Sequence, residues 1–556
     1  MTSSWLGRTR GRLGARHRLL GALVLLAAAG PALPLLAACG DDASGAAPTA
    51  PVEAGTADAP ETDGGSQFLE LQILAINDFH GNLEPPTGTS ATLVARADDP
   101  ALVDHDAGTI GIVGNGTITF RAGGAAFLAA RIKSLRADNP ATVVVSAGDL
   151  SGASPLLSSL FHDEPSILAM NALGLDFNGV GNHEFDHGAA ELLRLQNGGC
   201  HPVDGCAQGQ PVFPGAKFHY LAANVNTAMK QTLMRPYEIK TFEGEKVAFI
   251  GMTLEGTPRT TTTAAVQGLT FGNEAATVDA LLPELKAEGV AGIVLLVHQG
   301  LGQDPGSTYD TCGVDSAALD GWSQQFDPAV DVIVSAHSHQ PYVCESSGRL
   351  VTSAASLGRL ITKIDLTIDK TTHRIVKKSA KNVPVLRDGT PDPEVAAIVS
   401  TYQALSAPLA NRVIGHTTAD VLAAPVDPTI GESALGDLIA DAQLEATSGA
   451  GGPGAVIAFM NPGGIRADLL FAHGGSHPDG EITYGEGFAV QPFSNVLVTL
   501  SLTGAQIKEV LEAPSRLQVS SSLSYTFNPP RPWAAASTPR RSSSAASPST
   551  SRPRTA

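Results

Sequence analysis

Five short segments bring aspartate, histidine and asparagine together in the sequence: Asn77-Asp78-Phe79-His80, Gly148-Asp149, Gly181-Asn182-His183-Glu184, His298 and His337-Ser338-His339. Mixed oxygen and nitrogen donors of this kind suit borderline divalent metals such as Zn, Mn, Co or Fe, and one central carboxylate can bridge two ions. Two ions ~3.5 to 4 Å apart acidify a shared water and clamp a phosphoryl oxygen, as in-line displacement at phosphorus requires. Each piece alone is weak, because an Asp-x-His after a strand is more often a cap or a turn. Asp149 by itself could cap the segment that follows, and His298 by itself could be a satisfied core histidine. His-x-His is the stronger signal, since alternation along an extended segment turns both rings to one side.

Such donors need rigid elements behind them, and apolar runs precede nearly every segment. LQILAIN (71–77) runs into Asp78 and His80, TVVVSAG (142–148) into Asp149, GIVLLVH (292–298) ends at His298, and VDVIVSAH (330–337) ends at His337. HYLAANV (219–225) and KVAFIGM (246–252) have the same texture, while 123–136 and 164–173 carry helical spacing. Buried strands alternating with helices predict an α/β layered core, whose reactive loops lie beyond the carboxyl ends of the strands. The donors are therefore expected at loop starts along one edge of one sheet. Two β-rich stretches, 350–354 and 359–385 with a turn near 369–372, close this first domain, which spans 68–390.

Residues 391–410 read as a linker helix. A second unit follows over 411–528: a helix from Glu432 to about Ala446, a strand AVIAFMN (455–461), the turn Pro462-Gly463-Gly464, and a strand and helix across 495–512. From Pro529 to Ala556 the composition collapses to Ser, Pro, Ala and Arg, with no acids, and cannot form a core.

At 556 residues, with 43% hydrophobic and 16% charged residues, the chain is a multidomain globular protein and not a largely disordered one. A formal charge of -18 argues against a partner that is a nucleic-acid polymer, but it allows a small anionic substrate in a locally cationic pocket. Five arginines between Arg8 and Arg18 precede an apolar stretch from Leu19 to Leu36 that ends in Leu36-Ala37-Ala38-Cys39. This reads as a secretion signal over 1–38, and the small residues before Cys39 resemble a bacterial lipobox, implying acylation at Cys39. Residues 39–67 are small, acidic and Pro-containing, a tether from lipid to first domain. Cys200, Cys206, Cys312 and Cys344 remain; an even count in an exported chain favours disulfides, and local order suggests Cys200 with Cys206 and Cys312 with Cys344.

Together the segments closely resemble the calcineurin-like metallophosphoesterases, and the second unit resembles the C-terminal domain of the 5'-nucleotidase family, which includes bacterial UDP-sugar hydrolases and 2',3'-cyclic-nucleotide phosphodiesterases. The resemblance implies an α/β/β/α layered dimetal domain followed by an α+β substrate-binding domain. It makes Asp78, His80 and His339 ligands of one ion and Asn182, His298 and His337 ligands of the other, with Asp149 bridging. His183 then stabilises charge or protonates the leaving oxygen, and Asp186 orients it. Glu184 reads as a supporting acid. By the same resemblance, Asn461, Gly463, Gly464 and Arg466 form a substrate loop, Arg466 binding phosphate and Phe493 stacking on a base. Arg suits the first role through its bidentate fork and Phe the second through its flat apolar face.

Two departures stand out. Gly431 lies where many members carry an arginine, and the family continues beyond Asn528 with a second stacking aromatic, so the C-terminal unit is expected to be truncated. The implied function is hydrolysis of nucleotide phosphomonoesters by a metal-activated hydroxide, on a lipid-anchored protein of the bacterial cell envelope, periplasmic or surface-exposed. A 2',3'-cyclic phosphodiesterase, a UDP-sugar hydrolase and a non-catalytic nucleotide-binding surface lipoprotein are the alternatives.

Overall fold

A computed structural model of the protein describes residues 66–102, 111–113, 116–424, 431–449, 452–474, 476–493, 495–512 and 516–526. The signal, Cys39, nearly all of the tether and the 529–556 tail fall outside the described residues.

Twelve strands make up the two main sheets of the first domain: β1 (Phe68–Ile76), β2 (Thr142–Ser146), β3 (Phe177–Gly179), β4 (His219–Leu221), β5 (Tyr237–Phe242), β6 (Glu245–Met252), β7 (Gly292–Val297), β8 (Val332–Ser335), β9 (Pro341–Ser346), β10 (Arg349–Ala354), β11 (Leu360–Asp369) and β12 (Arg374–Pro384). They form two six-stranded sheets, ordered β12-β11-β1-β2-β3-β4 and β9-β10-β8-β7-β6-β5. Strands β1 to β4 run parallel, as do β6, β7, β8 and β10, while β5, β9, β11 and β12 pair antiparallel.

Period-two alternation explains the layering. Leu71, Ile73 and Ala75 of β1 and Val143 and Val145 of β2 pack against Val247, Phe249, Val294, Leu296 and Val334 of the other sheet. The intervening Leu74, Ile76 and Val144 face a helical layer containing Leu128 and Ile132 of α1 (Ala125–Asp138) and Ile167 and Met170 of α2 (Glu164–Leu173). Ile250, Leu295 and Ile333 face the opposite layer, with Val278 and Leu282 of α4 (Glu274–Ala287) and Trp322 of α5 (Ser316–Ser323); α3 (Ala189–Asn197) lies on the first side. At ~1.5 to 3 kcal/mol for each fully buried aliphatic side chain, the interface between the sheets is the rigid floor on which the donor loops stand. The α/β/β/α layering implied by the resemblance is borne out, and only the expectation that all donors stand on one sheet is corrected. Buried strands that are apolar on both faces carry no sign of which neighbour they pair with.

Helix α6 (Pro393–Ala410), capped by the Asp392 carboxylate, leads into the second unit. There β13 (Val413–His416) pairs with β15 (Glu481–Thr483), and β14 (Phe459–Met460) with β16 (Gln518–Val519), around α7 (Ala434–Ser448), α8 (Tyr484–Val490) and α9 (Gly504–Glu512). Two sequence expectations fail. AVIAFMN shrinks to two strand residues because its partner β16 is only two residues long. Residues 495–503 form no strand: Val496, Val498 and Leu500 are exposed, with no strand beside them among the described residues.

Candidate active site

The loops after β1 and β2 are laced together. Asp78, His80 and Gly81 donate their backbone N–H groups to the carbonyls of Gly148, Asp149 and Leu150. Asn77 pins the end of β1 to β10 by donating to the Ala355 carbonyl and accepting from the Ala354 N–H. Glu184 performs the same service for β2 and β3: its carboxylate accepts from the N–H groups of Asp149, Leu150 and Gly181. Burial, reinforced by the neighbouring Asp149, pushes Glu184 up to about 8.

The backbone at the donors is unusual. Asp78, His80, Asp149, His337 and His339 all have φ between 48° and 70°, a left-handed region that non-glycine residues rarely occupy. Such conformations cost of order 1 to 3 kcal/mol each and persist where surrounding structure over-determines them, commonly at functional sites. The extended His-x-His expectation is corrected at the same point, since both histidines lie beyond β8 in a turn.

Two clusters result. In one, Asp78, His80 and His339 converge, with His80 Nε2 3.1 Å from His339 Nε2 and His339 Nε2 3.4 Å from Asp78 Oδ1. In the other, Asp149, His298 and His337 converge, with His298 Nε2 3.0 Å from Asp149 Oδ2. Asp149 Oδ2 is also 3.7 Å from His80 Nε2, so one buried carboxylate touches both clusters. Donors from the two sheets mix at this point: Asp78, His80, Asp149 and Asn182 come from the first sheet, His298, His337 and His339 from the second.

The donor chemistry fits divalent cations. His80 Nδ1 and His298 Nδ1 are tied to the carbonyls of Gly152 and Ala147, which leaves each Nε2 facing the site. Asn182 Oδ1 is buried without a hydrogen-bond partner among the described residues. Buried polar atoms are rarely left so without a reason.

His183 sits beside these clusters. Its backbone N–H donates to Asp149 Oδ1, and its Nδ1 lies 2.9 Å from Asp186 Oδ2. Burial works against its charge, but Asp149 and Asp186 outweigh burial and raise its pKa above the usual imidazole value.

The second unit reaches the same place. Ser90 donates to the Arg466 carbonyl, Thr89 donates to Asp468, and the Arg466 guanidinium lies 3.4 Å from His183 Nε2 and 5.2 Å over the Phe493 ring. Arg359 and Arg387 also line the shared cleft of about 1290 Å³, but carbonyl oxygens engage them. Arg466 Nε, by contrast, has no partner among the described residues. Asn461 and Gly463 are exposed and lie outside the cleft lining, and Gly464 is buried beside Met460. Cys200 is bonded to Cys206 and Cys312 to Cys344, both away from these clusters.

Residues 71–341 match the family described as calcineurin-like phosphoesterase, and residues 413–538 match the 5'-nucleotidase C-terminal domain. The chain belongs to the calcineurin-like phosphoesterases with a 5'-nucleotidase C-terminal domain. It is 34% identical to Endonuclease YhcR of Bacillus subtilis over 80% of this chain and 33% of that protein. It is 30% identical to Cell wall protein Lmo0130 of Listeria monocytogenes over 86% of this chain and 60% of that protein. The chain thus spans about a third and three fifths of these relatives' lengths. A 5'-nucleotidase precursor from Thermus thermophilus shares the fold at a TM-score of 0.61 and 24% identity, covering 81% of each chain. Members of this family imply divalent metal ions, and the two His/Asp clusters are the candidate places for them.

Asn77 was not singled out by sequence reasoning beyond its place in the motif, nor was Asp163. Asn77 fixes the turn into Asp78 through partners 277 and 278 positions away. Asp163 accepts from the N–H of Gly152, the residue whose carbonyl holds His80. No local pattern signals contacts of this kind.

Proposed function

We propose that this chain hydrolyses nucleotide phosphomonoesters outside the cytoplasm, as a 5'-nucleotidase. The observation that carries this reading is the meeting of two His/Asp clusters on Asp149, with His183 beside them and Arg466 delivered from the second unit. Asp78, His80 and His339 would hold one divalent ion and Asn182, His298 and His337 the other, with Asp149 between. When bound, such ions supply Lewis acidity toward water and the phosphoryl group. Asp186 holds the His183 ring with Nε2 toward Arg466, where the imidazolium would stabilise phosphoryl charge or give its proton to the leaving oxygen. Arg466 binds the phosphate through its unengaged donors, and Phe493 supports the guanidinium while offering its ring to a base. Zn, Mn, Co and Fe all suit this donor set.

Phosphate release from AMP, abolished by a chelator and restored by a divalent metal, tests the reading. No release from AMP under any of these metals would overturn it. A diester reading has one specific support, the name Endonuclease carried by a 34% identical relative. Hydrolysis of bis(p-nitrophenyl) phosphate or a 2',3'-cyclic nucleotide at rates far above AMP would favour it. Inertness toward every ester despite nucleotide binding would favour a surface binding protein.

Gly181 adds a prediction within the site. A Cβ at Gly181 would run into the Asp149 carboxylate. Gly181→Ala should therefore shift Asp149 and lower turnover by roughly 100-fold, the cost of about 1 Å of misplacement. Wild-type turnover in this variant would show that the carboxylate does not need its present position.

The envelope location rests on Cys39 and the apolar segment before it, and is in keeping with a relative named as a cell wall protein. No helix among the described residues is long and apolar enough to cross a membrane. Cys39→Ser should abolish incorporation of a clickable palmitate analogue, because the acyl chains need this residue. Equal labelling of wild type and variant, or none of the wild type, contradicts the anchor.

A further inference from the structure

A single backbone amide joins two parts of the candidate centre. The Gly152 C=O and the Ala153 N–H belong to the same peptide group, and each end meets a different side chain. The carbonyl lies 2.9 Å from His80 Nδ1, and the N–H donates to Asp186 Oδ2 at 3.2 Å. A carbonyl can only accept, so His80 Nδ1 carries the proton and Nε2 keeps its lone pair. Asp186 Oδ2 is also the oxygen 2.9 Å from His183 Nδ1. His80 and the Asp186–His183 pair are thus oriented by opposite ends of one amide.

The backbone at this point is forced. Gly152 and Ala153 have φ of 80° and 48°, a left-handed region that costs a non-glycine residue of order 1 to 3 kcal/mol. A Cβ at Gly152 would collide with the His183 carbonyl, so the amide lies directly against the residue whose partner it holds. Asp163 anchors it. Its Oδ2 accepts the Gly152 N–H at 3.0 Å, and its Oδ1 accepts the Ser158 hydroxyl at 2.6 Å. Asp163 is 2% exposed, has φ of 60° and stands at the N-cap of α2, yet its side chain makes no capping bond to that helix. An N-cap aspartate usually contributes ~1 kcal/mol by accepting a helix N–H. Here the carboxylate is turned from its own helix to the loop that carries Gly152.

We infer that Asp163 is a positioning residue that acts through the Gly152–Ala153 amide, setting at once the donor nitrogen of His80 and the orientation of the Asp186–His183 pair. The inference rests on the dimetal reading above. His298 of the other cluster is held separately, by the Ala147 carbonyl. Loosening the Gly152–Ala153 amide should therefore weaken one ion and spare the other, which a general loss of stability would not do.

Asp163→Gly tests this, because glycine adopts a φ of 60° without strain and the substitution removes only the carboxylate. The metal-free protein is titrated with zinc against a competing chelator, at a temperature where circular dichroism shows it folded. One of the two ions should bind roughly 10 to 100-fold more weakly with the other unchanged, and phosphoester hydrolysis should fall by a similar factor. Asp163→Asn, whose amide oxygen can still accept the Gly152 N–H, should retain both ions and turnover. An ester in place of the Gly152–Ala153 amide, made by incorporating lactic acid at position 153, removes the N–H and weakens the carbonyl as an acceptor; it should reproduce the Asp163→Gly result with Asp163 intact. Wild-type affinity for both ions in folded Asp163→Gly, equal weakening of both, or an Asp163→Asn protein as impaired as Asp163→Gly overturns the inference. Should Asp163→Gly not fold, wild-type affinity for both ions in the ester protein overturns it. A wild-type protein that binds no zinc would overturn the dimetal reading and this inference together.

Discussion

Asp149→Ala should lose metal from both clusters and reduce phosphoester hydrolysis by roughly 1000-fold or more, the largest effect expected of any single change. The carboxylate is buried, with Oδ2 3.0 Å from His298 and 3.7 Å from His80, while Oδ1 accepts the His183 N–H. Alanine would remove a buried anion whose side chain meets histidines of both clusters, and two cations held nearby would then repel without this counter-charge. It would also release the His183 backbone, so His183 and the two His/Asp clusters would be disturbed together. Metal content per chain and turnover, measured on the same preparation, check the result. A variant that kept wild-type metal content and turnover would remove Asp149 from the centre.

His183→Ala should do something different: both ions stay, and turnover falls by roughly 100 to 10,000-fold. The ring is held by Asp186 at 2.9 Å and faces Arg466 at 3.4 Å, but it belongs to neither His/Asp cluster. If His183 gives its proton to the leaving oxygen, substrates with good leaving groups lose less, so p-nitrophenyl phosphate should be less affected than phenyl phosphate. Equal losses would assign it to stabilising phosphoryl charge alone. Loss of metal in this variant would make it a ligand and contradict the division of roles.

Much of this centre could be read from the chain because its donors stand where apolar strands stop. β1, β2, β7 and β8 each appear in the sequence as short apolar runs, and Asp78, Asp149, His298 and His337 come at or just after their ends. The pairing of the sheets could not be read. Strands such as TVVVS and GIVLLV are buried on both faces, so no polar side marks which sheet they join. The His337-Ser338-His339 reading picked out two histidines that do join the His/Asp clusters, but through the wrong geometry. Positive φ at both histidines sends them to different clusters, and that conformation is imposed from outside, with Asp78 accepting the His337 N–H. The helix Glu274–Ala287 went unnoticed although Asn273 caps it, since Pro283 within the stretch argues against a helix. In the second unit, Arg466 could be picked out as a cation in a Gly-Gly loop. Its engagement with His183 depends on Ser90 and Thr89, more than 370 positions away, which no local pattern encodes.

The central claim is that the two clusters form a single dimetal centre around Asp149. Anomalous diffraction from crystals soaked in manganese or zinc tests it most directly. Two peaks about 3.5 to 4 Å apart are expected on either side of the Asp149 carboxylate, one near His80 and His339 and one near His298 and His337. A single peak, or no peak within coordination distance of Asp149, would contradict the account.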